Sequence, residues 1–155
     1  MAAATPISNR LLVALAPTDL HRLSRGLELV PLPHKQTLSS PNAPIDHVYF
    51  PQQGMVSLVQ PLENGAMIEV GMIGNEGLVG MSILLGAETS PLEAMVQIPG
   101  SALRIEAGVF RDEVGRCTAP LGLLLRYLQA LHIQARYPQL TTRATRCRSA
   151  LPVGC

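Results

Sequence analysis

Aromatic side chains make up only 3% of this 155-residue chain, and tryptophan is absent. Hydrophobic residues nonetheless reach 47%, so the core must be aliphatic, packed from Leu, Val, Ile, Met and Ala. Charge is scarce as well: charged residues are 15% and the net charge is +1. No whole-chain field draws this protein to nucleic acid, a membrane or an acidic partner. Cysteine occurs three times, at Cys117, Cys147 and Cys155. No CxxC pair exists for zinc, and no disulfide framework is expected. No apolar run approaches the roughly 20 residues that a membrane helix needs. The opening "MAAATPISNR" lacks a basic start followed by an apolar run, so it is not a secretory signal. The cytoplasm is the expected location.

Turn formers are plentiful, with 13 Gly and 13 Pro, which favours short strands over a helical bundle. Ser8 or Asn9 can cap a short helix carrying Leu11, Leu12 and Leu15. Pro17-Thr18-Asp19 starts a second, with Leu20 and Leu23 on one face. From residue 27 the period changes. "LELVPL", "HVYF", "MVSLVQPL", "MIEVGMI", "EAMVQIPG" and "ALRIE" read as β-leaning runs between turn residues. Glu63-Asn64-Gly65 reads as a hairpin turn. The expected architecture is mainly β, about seven short strands in a sandwich or jelly-roll barrel. "EAGVFRDEVGRC" reads as a short helix. The most regular helix follows at 118–134, where Leu121, Leu124, Leu128 and Leu131 repeat in steps of three and four. That seam either covers the β core or joins two copies; its length does not decide.

The chemistry-bearing residues are dispersed. His21, His34, His47 and His132 have no i,i+2 or i,i+4 partner, so no metal site is expected. Ser57, Ser82 and Cys117 are conceivable nucleophiles, but none stands in a G-x-S-x-G elbow. Gly80-Met81-Ser82 has no evident histidine base, so an enzyme is not expected. The stretch "GMIGNEGLVGMSILLG" carries Gly71, Gly74, Gly77, Gly80 and Gly86. Its backbone N–H groups can cradle a ligand, or its glycines can simply turn the chain between strands.

"PIDHVYFPQQGMVSLV", "ENGAMIEVGMIGNEGLVGMSILLG" and "AMVQIPGSALRI" together resemble the sensor half of Crp/Fnr-type bacterial transcription regulators. That half is similar to the cyclic-nucleotide-binding domain. The resemblance runs from about Asn9 to Gln134. It implies a double-stranded β-helix or jelly roll, with short N-terminal helices and a long C-terminal dimerisation helix. Residues 1–117 would form the sensor, 118–135 the dimer helix built on Leu121, Leu124, Leu128 and Leu131. A helix-turn-helix for DNA follows in the family. It also implies a ligand pocket, at Gly71, Gly74, Gly80, Met81, Ser82 and Leu92 in this chain. Cyclic-nucleotide binders carry Glu after the Gly and an Arg a short loop later. Met81 and Leu92 stand at or near those positions, so both polar anchors are missing. A phosphate near Glu88 or Glu93 without a cation would be poorly held. No cofactor is expected, and cyclic nucleotide is not the expected ligand. No N-terminal cysteine cluster offers an iron–sulfur sensor.

Past residue 135 the pattern stops. In the frame shifted by one base from Leu140, suitable choices of the free bases permit HNARHSVPERASRWL. The family typically has something like CNARHSVEERLARWLL there. Residues 136–155 are therefore expected to be an irregular, out-of-frame tail, and the helix-turn-helix to be absent. The rival reading is a mildly basic tail whose Arg136, Arg143, Arg146 and Arg148 touch a phosphate backbone. The expected partner is a second copy or a full-length paralogue, with DNA belonging to the family role. A stand-alone interaction module working through the leucine helix is the alternative.

Overall fold

The computed structural model describes residues 6–116, 120–130 and 133. Leu131 of the leucine seam, Cys117, His132 and the tail 136–155 lie outside them. Two short helices open the chain, α1 (Arg10–Val13) and α2 (Pro17–Ser24). Five strands follow: β1 (Glu28–Leu32), β2 (Thr37–Ser39), β3 (His47–Pro61), β4 (Met67–Ile73) and β5 (Glu93–Glu106). A short 3₁₀ helix, Met81–Leu85, sits between β4 and β5. Helix α3 (Ala107–Gly115) follows β5 directly, and residues 120–130 form a further helix, α4. No helix of the described residues is long and apolar enough to cross a membrane.

The strands form one antiparallel sheet in the order β1-β5-β3-β4, with β2 also on β5. About seven short strands are expected and five are found: the six runs named above make four strands, because two pairs are fused, and β2 is the fifth. "HVYF" and "MVSLVQPL" are one strand, β3, and "EAMVQIPG" and "ALRIE" are one strand, β5. Pro51, Gly54, Pro99 and Gly100 look like breaks in the sequence. In the fold they sit where β3 and β5 shift register against each other. Gly54 has φ +89°, and a Cβ there would meet the Ile98 carbonyl; a Cβ on Gly100 would meet the Gln53 carbonyl. The backbones cross closely enough to require glycine on both. Strand β2 has no sequence signal, since three residues are too short to show a period. Gly65, with φ +82°, makes the β3–β4 turn where the sequence places it.

Two apolar clusters fill the molecule. One lies within the sheet, around Leu32, Val56, Ile73, Val96 and Ala102. The other joins the sheet to all four α-helices, through Leu12, Leu23, Val48, Phe50, Phe110 and Leu124. Phe50 and Phe110, both fully buried, meet edge-to-face at 5.9 Å and fix α3 on β3.

Helix α4 rests on this second cluster. Leu124 is 2% exposed, with Leu121, Leu123 and Tyr127 packed around it. Leu121 and Leu124 thus cover this chain's own core. Tyr127 lies over Gly77, where any Cβ would collide with its hydroxyl. Among the described residues that buried hydroxyl has no hydrogen-bond partner of ordinary geometry. Burial pushes its pKa up to about 12, and the nearby Leu78 backbone opposes this only in part.

Asn9 ties α1 to the sheet, and it is fully buried. Its Oδ1 accepts from the N–H groups of Leu11 (3.1 Å) and Leu12 (3.2 Å). Its Nδ2 donates to the carbonyls of Pro51 (2.9 Å) and Gly77 (2.8 Å). Every donor and acceptor of the amide is therefore used. Gln52, also buried, accepts from the N–H of Ser8 and of Asn9 at 2.8 Å each and donates to the Pro6 carbonyl at 3.0 Å.

Asn9→Ala should cost about 2–3 kcal/mol, because it removes a cap and orphans two buried carbonyls. Asn9→Asp should be at least as harmful, although Asp caps helices well, because a carboxylate would face those carbonyls. Urea denaturation of both variants tests this; a mild Asp variant would show that capping alone matters. Tyr127→Phe should stabilise by roughly 1 kcal/mol by removing an unpartnered hydroxyl. Its advantage should widen as pH rises from about 10 to 12. In that window the unfolded tyrosine ionises and the folded one does not, so only the parent loses stability. Unfolding curves at pH 8 and pH 11 give both numbers.

Candidate functional site

One cavity of about 540 Å³ opens against β4 and the segment that follows it. Strand β4 supplies one wall with Glu69, Val70, Gly71, Met72 and Ile73. Leu78, Val79, Gly80, Met81, Ser82 and Leu85 supply the next. Ser90 and Leu92 approach from the stretch before β5, with Ser39, Ile45 and Leu58 opposite, and Leu128 reaches in from α4. The volume lies in the range of small-molecule sites.

The wall is held by short-range constraints. Gly80 has φ +106° and starts the 3₁₀ helix, a conformation that side-chain-bearing residues resist. Tyr49 and Val79 exchange backbone hydrogen bonds of 3.0 and 2.8 Å, pinning the approach to Gly80 onto β3. Just before it, Asn9 holds the Gly77 carbonyl, and the Arg10 N–H donates to the Asn75 carbonyl at 2.7 Å.

Of the six pocket residues read from the sequence, Gly71, Gly80, Met81, Ser82 and Leu92 line the cavity. Gly74 does not; its N–H donates to Glu76 Oε1 at 3.0 Å in the adjoining turn. Leu128, assigned to the dimer seam, lines the cavity too. The residue that sequence reasoning missed is Glu69, among the described residues the only ionisable side chain on the wall. Its Oε2 accepts from the hydroxyl of Ser57 at 2.7 Å, and Ser57 is 2% exposed.

No Lys or Arg of the described residues lines the cavity. The ion pairs that the structure records lie elsewhere: Arg22 with Asp19 in α2 (2.7 Å), Arg104 with Glu28 across β5 and β1 (3.1 Å), Arg111 with Glu88 (4.0 Å). A polar depression of about 440 Å³ holds Asp46, His47, Glu88, Glu106 and Arg111. Among the described residues no group of three His, Cys, Asp or Glu is placed to hold a metal ion. The described histidines are apart: His21 in α2, His34 between β1 and β2, His47 at the start of β3.

The geometry is thus a mostly apolar pocket with one carboxylate at its edge and no cation. The fold has known counterparts. An N-terminal domain of a transcriptional regulator from Streptomyces coelicolor A3(2) superposes with a TM-score of 0.61 at 19% identity, over 97% of this chain and 100% of that one. The sensor domain of the transcriptional regulator DNR from Pseudomonas aeruginosa gives 0.62 at 16% identity, over 94% and 89%. A triple mutant of the regulatory subunit of a cAMP-independent protein kinase A from Trypanosoma brucei, bound to cAMP, gives 0.66 at 14% identity, over 88% and 48%. At these identities the likeness is one of fold. No curated protein matches the chain. Residues 29–116, from β1 through α3, match the cyclic nucleotide-binding domain. That stretch is more than half of the sequence, and the chain belongs to the cyclic nucleotide-binding domain family.

Proposed function

We propose that this chain carries the effector-sensing domain of a Crp/Fnr-like transcription regulator, acting in the cytoplasm, and that its effector is not a cyclic nucleotide. The observation that carries the reading is the cavity's charge. Met81 and Leu92 stand on its wall at or near the positions where the resemblance calls for Glu and Arg, and among the described residues the one ionisable group there is acidic. A cyclic phosphate would be desolvated beside Glu69 with no cation to pair it. The fold does not demand cyclic AMP: the trypanosomal kinase is named cAMP-independent, and one of the three substitutions in its cAMP-bound mutant is Thr to Arg. The regulator reading draws on the Streptomyces domain and the DNR sensor domain, which share the fold nearly end to end. The domain is a binding module and not an enzyme.

The second part of the proposal is a homodimer, or a heterodimer with a full-length paralogue, formed through α4. Leu121 and Leu124 are committed to this chain's core and Leu128 to the cavity. Leu125 (42% exposed) and Ile133 (49% exposed) leave apolar surface uncovered at this end of the described chain. The same exposed surface favours the alternative, an interaction module that docks another protein.

Millimolar cyclic AMP should leave the melting temperature unchanged; a rise of several degrees would overturn the non-nucleotide reading. Leu125→Lys with Ile133→Lys should give a folded monomer in light scattering. Leu124→Lys should instead unfold the domain, at a cost of about 3 kcal/mol or more, because it buries an unpaired charge. A dimer that survives the double variant would remove this surface from the proposal.

A further inference from the structure

The cavity's one carboxylate says what kind of effector fits, an inference that rests on the sensing role proposed above. Glu69 stands at an irregularity in β4 and lines the cavity from this edge strand. Ser57 pairs with Met72 and Leu58 with Gly71, but Val59 pairs with Glu69 and not with Val70. One residue of β4 is therefore extra, a bulge at Val70. Residues opposite each other across a pair of strands lie on the same face. Without the bulge, Val70 would face Val59 and Glu69 would point to the other side of the sheet. With it, Glu69 shares a face with Ser57 and Met72.

The placement is then fixed by a hydrogen bond. The Ser57 hydroxyl is buried and spends its proton on Glu69 Oε2. An ionised carboxylate offers about four acceptor positions, and this fixes one. Among the described residues no cation pairs with Glu69, and no other protein donor engages it. The rest of the enclosure is apolar where it matters, with Leu58, Ile73, Met81, Leu85, Leu92 and Leu128 around the space.

We propose that the cavity binds an apolar molecule carrying a single cationic amine head, with the amine donating to Glu69. The apolar body displaces water from the leucine-rich wall, and the ammonium supplies the donor that the protein does not. An anionic head is repelled by the same carboxylate, and a hydroxyl head donates one weaker bond.

Three probes with one indole body separate these cases: tryptamine (cationic), tryptophol (neutral) and indole-3-acetate (anionic). Each is titrated calorimetrically into the full chain at pH 7 and low salt, with cyclic AMP in parallel. Tryptamine should bind roughly tenfold more tightly than tryptophol, and indole-3-acetate most weakly. In Glu69→Gln the tryptamine advantage should shrink to within about twofold, with tryptophol little changed. Glu69 is exposed, so the variant should fold, and circular dichroism verifies it. Equal or inverted ranking, an unchanged preference in the Gln variant, or no binding by any indole overturns the inference. If cyclic AMP also fails to bind, the inference falls alone and the non-nucleotide reading stands. If cyclic AMP binds and displaces tryptamine, both fall.

Discussion

A single buried amide holds the N-terminal helices, the long strand β3 and the cavity wall in one arrangement. Asn9 carries two donors and two acceptor positions, and together they meet backbone groups from three parts of the chain. Two belong to the first turn of α1, one to β3 at Pro51, and one to the turn after β4 at Gly77. A buried amide stays favourable only while all of these are made, since each orphan costs on the order of 1–3 kcal/mol. The network is therefore close to all-or-none. Gln52 extends it by taking the N–H of Ser8 and Asn9, so the strand residue beside Pro51 grips the incoming chain twice. Pro51 itself offers only a carbonyl, and Asn9 uses it.

The cavity inherits its shape from this node. Gly77 is gripped by Asn9 from one side and overlaid by Tyr127 from the other. The next residues, Leu78 and Val79, are already cavity wall, and Val79 is tied to Tyr49. A wall fixed at both flanks has little freedom to collapse into empty space. This explains how an aliphatic molecule keeps a pocket of about 540 Å³ open when apolar groups would gain by closing on each other.

Local elements were readable from the sequence because their signals are local. "MIEVGMI" is rich in β-branched residues and is strand β4 from end to end; Asn64-Gly65 turns the chain beside it; Pro17 opens α2. The strand count was not readable, because Gly54 and Gly100 signal a break when taken alone. Only their meeting across two strands makes them a crossing point. Asn9 was legible as a cap, yet its second pair of bonds spans 42 and 68 residues, beyond any pattern in one window. Glu69 escaped for a related reason. Period-2 counting puts it on one face with Gly71 and Ile73, and the bulge that turns it toward Ser57 cannot be seen until both strands are known. The leucine repeat was real as a helix signal, but spacing does not say what a helix faces. Leu124 faces its own core, and Leu128 faces the cavity.

That division of labour along α4 has a physical consequence. Consecutive turns of one helix bear on the core, on the Gly77 turn and on the cavity. The first contact is tight aliphatic packing. The second contains a buried hydroxyl with no partner, and the third borders open space. The helix is thus anchored at Leu124, with Tyr127 packed against the same cluster. A molecule filling the cavity would add contacts to Leu128 that the free protein does not make, and these would favour whichever helix position gives them. The energy for such a shift is bounded by the difference in contact between the two positions. For one leucine that is about 1–3 kcal/mol, enough to change a helix population tenfold or more. An effector need not touch the outer face of α4 to alter what that face presents.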